Sequence, residues 1–318
     1  MKLSFPAFLK PIYVLMSFVL FWTIINLFSY SYVVSLEDKE HQKVFNDHYK
    51  VYSVNIPEKL DFAGENVPLE YFDVMESLDR ELLVNTYWQS QSLLHIKRAN
   101  RYFPYIDSIL SANKIPVDFK YLCVAESGLM NVVSPSGATG FWQFMKETGI
   151  EYGLEINNEV DERYHFKKST EAACKYLKTA YAKYKNWTLV AASYNMGMSG
   201  LEEQLARQKV DNYYDLLLNT ETSRYVFRIL SIKLIMENST MFGFNYRPKD
   251  LYRNITTHQV KVDSAVTDFA DFAKSMNTNY KMLKTFNPWL RQNFLTNKEK
   301  KTYFIEIPDQ AARKGYLR

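Results

Sequence analysis

A chain of 318 residues is long enough for one large or two modest domains plus an anchor, and 47% hydrophobic with 23% charged residues is ordinary globular material. The formal net charge is only +4 and no Lys/Arg run dominates any segment, which argues against a nucleic-acid partner. There are two cysteines, Cys123 and Cys174, and no C-x-x-C, H-E-x-x-H or clustered His, so neither a metal site nor a cofactor has support.

The N-terminus carries Lys2 and Lys10 ahead of an uncharged run, "IYVLMSFVLFWTIINLFSYSYVV", residues 12–34. That run is long enough to cross a bilayer as a helix. Lysines before it and the acidic "EDKEH" after it place the N-terminus in the cytoplasm. Residues 1–34 are expected to be a retained signal-anchor, with a cleaved signal peptide as the rival reading. Either way the body is exported to a space where a disulfide is permitted. Both cysteines nevertheless sit on apolar helical faces, where a free Cys packs as a small hydrophobe.

Residues 35–68 are mixed and polar and read as a linker and lead-in. From 69 to about 240 the pattern is helical. Val74, Leu78 and Leu82 recur every four residues, and Phe103, Ile106 and Leu110 follow at three and four. Pro116 marks a helix start. Ala173, Tyr176, Leu177, Ala180, Tyr181 and Tyr184 form a stripe with Ser169 as its N-cap. Gly197 is a helix C-cap candidate, and Tyr225, Ile229 and Ile232 give a further stripe. A compact α domain is expected. After a linker at 241–257 the pattern changes. "THQVKV" reads as a strand, two short helical segments follow, and "KTYFIEIP" reads as a closing strand ended by Pro308. This predicts a small β-α-α-β domain over 258–308, with 309–318 as a tail.

One stretch carries chemistry. Phe119, Leu122 and Cys123 lie seven, four and three residues before Glu126, so all four share one helical face and Glu126 belongs to the buried side. It also stands near a helix C-terminus, where the macrodipole disfavours negative charge. Both effects favour the protonated carboxyl, the form a general acid needs. A structural Glu paired with a basic residue fits the spacing as well. The loop that follows, "SPSGATGFWQF", brings Ser134, Gly137 and Gly140 and then Gln143 among aromatics. Small residues let a ligand or a backbone approach closely, and an amide beside rings suits a sugar. Two later stretches, "AASYNMGMSG" and "ETSRYVFRIL", supply Tyr194, Asn195 and Tyr225 and mean little alone.

In this order and spacing the four stretches resemble the Slt-type lytic transglycosylases, and within them the membrane-bound D-type enzymes. The family's Glu-Ser motif stands as Glu126-Ser127, its Gly-Leu-Met/Trp-Gln motif as Gly140-Phe141-Trp142-Gln143, and its Ala-Tyr-Asn motif as Ser193-Tyr194-Asn195. Tyr225 falls where the family has a late tyrosine. "FAGENVPLE" at 62–70 and "VDERYHFKKSTEAACKYL" add to the likeness, which spans roughly 62–240. The loop between Glu126 and Ser134 looks one residue short, Phe141 replaces Leu, and Ser193 replaces Ala. The C-terminal unit resembles a LysM module with Asn287-Pro288 in place, but it lacks the usual Gly-Asp-Thr start.

The resemblance implies a lysozyme-like, mainly α fold of goose-type/Slt kind, a small LysM-like domain and an N-terminal membrane helix. It implies a cofactor-free enzyme that acts on peptidoglycan glycan strands, cleaving the bond between N-acetylmuramic acid and N-acetylglucosamine without water to leave 1,6-anhydromuramoyl ends. Glu126 would act first as acid and then as base. Ser127, Ser134, Gln143, Tyr194, Asn195 and Tyr225 would bind substrate or orient Glu126. The place would be the bacterial cell envelope, with the catalytic domain periplasmic and anchored to the inner membrane, or secreted to the periplasm after signal cleavage. A hydrolytic goose-type lysozyme is the alternative, with Asp161 or Glu162 as the second carboxylate that two-acid hydrolysis needs. An inactive peptidoglycan-binding scaffold is another, although an intact Glu126 speaks against it. An anchored protein adaptor leaves the four motifs unexplained.

Overall fold

Apolar sequence and charged sequence share the first helix. In the computed structural model, which describes residues 10–48 and 52–309, helix α1 runs Lys10–His48, through the uncharged run and on into the charged segment beyond it. Side chains are described at only fourteen positions of that run, 14–27, and they are solvent-exposed, Trp22 by 70%. Among the described residues no helix is long and apolar enough to cross a membrane, so the membrane helix expected at 12–34 is not found. Residues 1–9, and the side chains of 12, 13 and 28–34, lie outside the described residues. The chain divides into two units, 1–53 and 54–318.

The second unit opens with a two-residue hairpin, β1 (Asp61–Phe62) and β2 (Glu65–Asn66). Helix α2 (Phe72–Tyr87) buries Val74, Leu78 and Leu82, and α3 (Gln89–Ala112) buries Ile106 and Leu110. Pro116 starts the turn that leads into α4 (Phe119–Ser127), its carbonyl accepting from Phe119 N at 3.1 Å. Short α5 (Lys146–Glu151) is followed by α6 (Phe166–Tyr184), which buries Ala173, Tyr176, Leu177 and Ala180 as its spacing predicts. Its cap is not Ser169. A 3₁₀ turn at Glu162–Tyr164 swings the chain into helical direction early, so His165 caps the helix through Nδ1. Ser169 is buried inside the first turn and donates to Phe166 O at 3.2 Å.

Helix α7 (Trp187–Met196) is capped by Asn186 and closed by Gly197 at φ 81°, and α8 (Met198–Gln208) follows. Asn219 caps α9 (Thr220–Glu237) by accepting from Glu221 N and Thr222 N. The sequence suggests one stripe on α9. The structure also buries Val226, Phe227, Leu230, Leu234 and Ile235, the mark of a central core helix. Helices α2 and α4 pack against it. Its three buried polar positions are matched, Thr222 Oγ1 donating to Asn195 at 2.8 Å. Lys233 Nζ pairs with Asp118 at 2.7 Å, and Ser231 Oγ accepts from Asn85 at 2.8 Å.

The segment 241–257 lies along α3. Tyr252 N donates to Lys97 O (3.1 Å) and Arg101 Nε to Arg253 O (2.9 Å). The predicted β-α-α-β unit follows as β3 (Thr257–Val262), α10 (Phe269–Ser275), α11 (Tyr280–Phe286) and β4 (Tyr303–Pro308). The strands pair antiparallel from Thr257↔Pro308 to Val262↔Tyr303. Phe269, Leu283, Trp289, Ile305 and Ile307 form its core, which also takes in Val160 from the helical body. Backbone bonds Asp161 N to Trp289 O (2.9 Å) and Arg291 N to Glu159 O (2.7 Å) fasten the unit to the loop before α6. Of the predicted tail, 310–318 lie outside the described residues. Cys123 and Cys174 are both buried free thiols.

Candidate active site

Helix α4 has to stop where Glu126 stands. Gly128 takes φ 59° and gives its N–H to Val124 O at 2.8 Å, and a Cβ there would meet His95 Nε2 at 2.9 Å. Only glycine closes the helix this way without strain. Glu126 is thus the last residue but one of a buried helix. It keeps partial exposure, yet the protein mass around its carboxyl is that of an interior group. That burial raises its pKa from 4.5 to about 7, with a small push from Glu221. The Tyr225 hydroxyl, which donates to Glu126 Oε1, and the Arg228 guanidinium act in the opposite direction.

The loop from 128 to 145 folds around this carboxyl by using its own side chains. Ser127 is buried and its hydroxyl donates to Phe141 O at 2.8 Å, joining the end of α4 to the loop. Ser134 Oγ accepts from Ala138 N at 3.0 Å and shapes a tight turn. Gly140 sits at φ 86°, where an added Cβ would fall 2.0 Å from Arg163 O. Gln143 takes a left-handed φ of 50°, and its Nε2 donates to Val132 O (3.0 Å) and Gly140 O (2.7 Å). A non-glycine residue in that region stores strain, a frequent mark of functional loops. Its Oε1 accepts no hydrogen bond among the described residues. Trp142, fully buried, donates Nε1 to Thr170 Oγ1 at 2.8 Å.

Helices α7 and α9 complete the site. Tyr194 Oη donates to Trp142 O at 2.8 Å, and burial together with the nearby Glu126 charge pushes its pKa well above the ordinary value. Asn195 donates to Glu221 Oε1 at 3.3 Å and accepts from Thr222 Oγ1 at 2.8 Å. Of the six residues singled out from sequence beside Glu126, Tyr225 alone bonds its carboxyl. Tyr194 stands within electrostatic reach, and Asn195, on α7, bonds Glu221 and Thr222 at the start of α9. Ser127, Ser134 and Gln143 direct their hydrogen bonds to holding the loop.

Sequence reasoning missed Arg228 and Glu221. A signal existed: Glu221, Tyr225 and Arg228 are four and three residues apart, hence on one face of α9. Arg163 was missed too, and it braces the loop by donating to Gly137 O (3.2 Å) and Phe144 O (3.3 Å). The two carboxylates considered for hydrolysis are engaged elsewhere. Asp161 pairs with Arg163 at 2.7 Å, and Glu162, buried, pairs with Lys168. Among the described residues no cluster of His, Cys, Asp and Glu could hold a metal.

Residues 108–217 match the transglycosylase SLT domain. A second family, the soluble lytic transglycosylase C-terminal LysM-like domain, matches 258–311. The SLT match covers α4, the loop, α7 and α8, and stops before α9 with its Tyr225 and Arg228. The chain is also similar to membrane-bound lytic murein transglycosylase D of Escherichia coli strain K12, 29% identical over 217 residues. The protein of the same name from strain O6:H1 gives the same identity. The alignment takes in 66% of this chain and 47% of each relative, so the chain spans about half the length of the curated relatives it matches.

Proposed function

We propose that this chain is a peptidoglycan lytic transglycosylase with Glu126 as its acid and base. The observation that carries the reading is the Glu126 carboxyl itself: enclosed at the end of a buried helix, bonded by Tyr225, and protonated up to about pH 7. An acid with a pKa near the working pH both delivers and recovers a proton efficiently. Protonated Glu126 would give its proton to the glycosidic oxygen as the bond to muramoyl C1 breaks. The carboxylate left behind would take the proton of the muramoyl C6 hydroxyl as that oxygen closes on C1. Atoms balance without water, and the substrate's acetamido group stabilises the charge at C1. One carboxylate suffices for this scheme. The ion-paired state of Asp161 and Glu162 weighs against the hydrolytic alternative.

In this reading Tyr225 orients Glu126 and Tyr194 braces the loop from behind. Gln143 Oε1 and Asn195 face the acetamido sugar, while Ser127 and Ser134 keep the loop in shape. The division into anchor, lead-in, SLT-type domain, connector and LysM-like domain is part of the same proposal, as is glycan binding by the last. So is anchoring: the exposed apolar side chains of 14–27 fit a lipid surface better than water, consistent with a periplasmic enzyme held at the inner membrane.

Purified sacculi incubated with the full chain, with Glu126→Gln as control, provide the test. Muropeptides released one water lighter than hydrolytic fragments, and absent with the variant, are expected. Reducing ends of full hydrolytic mass would replace the proposal with a lysozyme. Absence of release with binding retained would leave a wall-binding protein.

A further inference from the structure

The segment 158–164 makes two sets of contacts, each with a different part of the molecule. The first set is with the C-terminal unit. Thr296 N donates to Glu159 Oε2 at 2.7 Å, and Gln292 Nε2 donates to Asn158 O at 3.0 Å. The Arg291 guanidinium lies 3.9 Å from the centre of the Tyr164 ring. Val160, 1% exposed, is buried in the core of that unit rather than in the helical core. These contacts add to the backbone bonds at Glu159 and Asp161.

The second set holds the loop that frames Glu126. Arg163 Nη1 reaches two of its carbonyls, Gly137 O and Phe144 O. The backbone carbonyl of Arg163 fills the space where a Cβ on Gly140 would stand. Asn131 Nδ2 donates to Tyr164 O at 3.2 Å. The two sets meet at one ion pair. Asp161, whose N–H is given to Trp289 O, accepts from Arg163 Nε at 3.0 Å and from Nη2 at 2.7 Å. A guanidinium held by both carboxylate oxygens is fixed in direction as well as distance. The two side chains are only 11% and 10% exposed, so little water reaches the pair. Where the C-terminal unit puts the Asp161 backbone therefore decides where Arg163 points.

The loop needs a hold from outside itself. One residue before Phe144, Gln143 is kept at a left-handed φ of 50°. A non-glycine residue stays there only when its surroundings over-determine it. The same loop carries Phe141 O and Trp142 O, which accept from Ser127, next to Glu126, and from Tyr194. A shift of the loop would thus move the groups packed around the acid.

We propose that Arg163 is a positioning residue for the Glu126 reaction, and that the C-terminal unit keeps it in place by gripping 158–161. The unit then serves catalysis as a strut, whatever it binds. The catalytic half of this inference rests on the reading of Glu126 as acid and base; the strut itself does not.

The test cuts the path at each end in the full chain. Val160→Asp puts a charge into the core of the unit and loosens the grip. Arg163→Gln keeps a polar side chain and withdraws the guanidinium. Amide hydrogen exchange read by mass spectrometry comes first, because it needs no turnover. The N–H groups of Ser134, Thr139, Gly140 and Phe144 are hydrogen-bonded within the loop. In Val160→Asp the amides of 134–144 should exchange at least tenfold faster, while α4 and α9 stay protected. Val160→Ala, a milder cut, should give a smaller rise in the same peptides. Kinetics on a soluble muropeptide tetrasaccharide come second. Val160→Asp and Arg163→Gln should each lower kcat at least tenfold with KM within twofold. The double variant should be no slower than the slower single one, since both interrupt one path. Unchanged exchange at 134–144 in both Val160 variants would overturn the strut. Losses of kcat that multiply, or a raised KM with kcat spared, would overturn Arg163 as the link. A chain that releases nothing from sacculi would sink the proposed function and leave the exchange test intact, so the two readings fail separately.

Discussion

Replacing Glu126 by Gln should stabilise the protein while it abolishes activity, and the gain should depend on pH in a set direction. In the folded chain the carboxyl titrates at about 7 rather than 4.5. Below pH 4.5 folded and unfolded chains both carry the proton, and the group costs nothing. As pH rises from 4.5 to 7 the unfolded chain ionises and the folded one does not, so stability falls. Above 7 the loss is complete. At about 1.36 kcal/mol for each pH unit, a gap of 2.5 comes to about 3 kcal/mol. The amide introduced by Glu126→Gln keeps an oxygen to accept from Tyr225 and carries no charge to bury. Thermal unfolding of the two chains at pH 4 and pH 8, followed by helix ellipticity, measures the difference. At pH 8 the variant should melt on the order of 6–12 °C higher, at about 2–4 °C for each kcal/mol in a domain of this size. At pH 4 the curves should nearly coincide. A variant that melts lower at pH 8, or a gap equal at both pH values, would refute the argument that burial holds the acid protonated.

Three further outcomes follow from named contacts. Activity of the unaltered chain should fall as pH rises through about 7, and Tyr225→Phe, which removes a donor to the carboxylate, should move that midpoint upward while lowering the maximal rate; a pH–rate profile on sacculi reads both. Gly140→Ala would force a Cβ to within 2.0 Å of Arg163 O at a φ of 86°, so a loss of about 3 kcal/mol or more in denaturant unfolding is expected, with activity lost alongside. Lys233→Met would leave Asp118 largely buried without its cation, and about 3–5 kcal/mol of destabilisation by urea titration is expected; a near-neutral result would mean that water replaces the pair.

The C-terminal β-α-α-β order, the stripes of α2 and α6 and the buried side of Glu126 were legible because each is a matter of local spacing. A residue three, four or seven positions away reports which face of its own helix it shares, whatever the rest of the chain does. The cap of α6 was misread for the complementary reason. Ser169 is a good capping residue, but the 3₁₀ turn at Glu162–Tyr164 set the helix direction first and left the position to His165. Contacts between helices are not encoded locally at all. Tyr225 and Glu126 are 99 residues apart, and nothing in either stretch says that α9 lies against α4. That packing brings Arg228 and Glu221 to the carboxyl, while the Ser127, Gln143 and Tyr194 donors are taken up by carbonyls of the loop. Likewise the small C-terminal unit could be read as a unit, but its seat on the loop before α6 exists only once two apolar surfaces have met. The sequence by itself determined which residues face inward; the tertiary structure decided which inward-facing residues meet, because burial is a property of one face and a bond is a property of two.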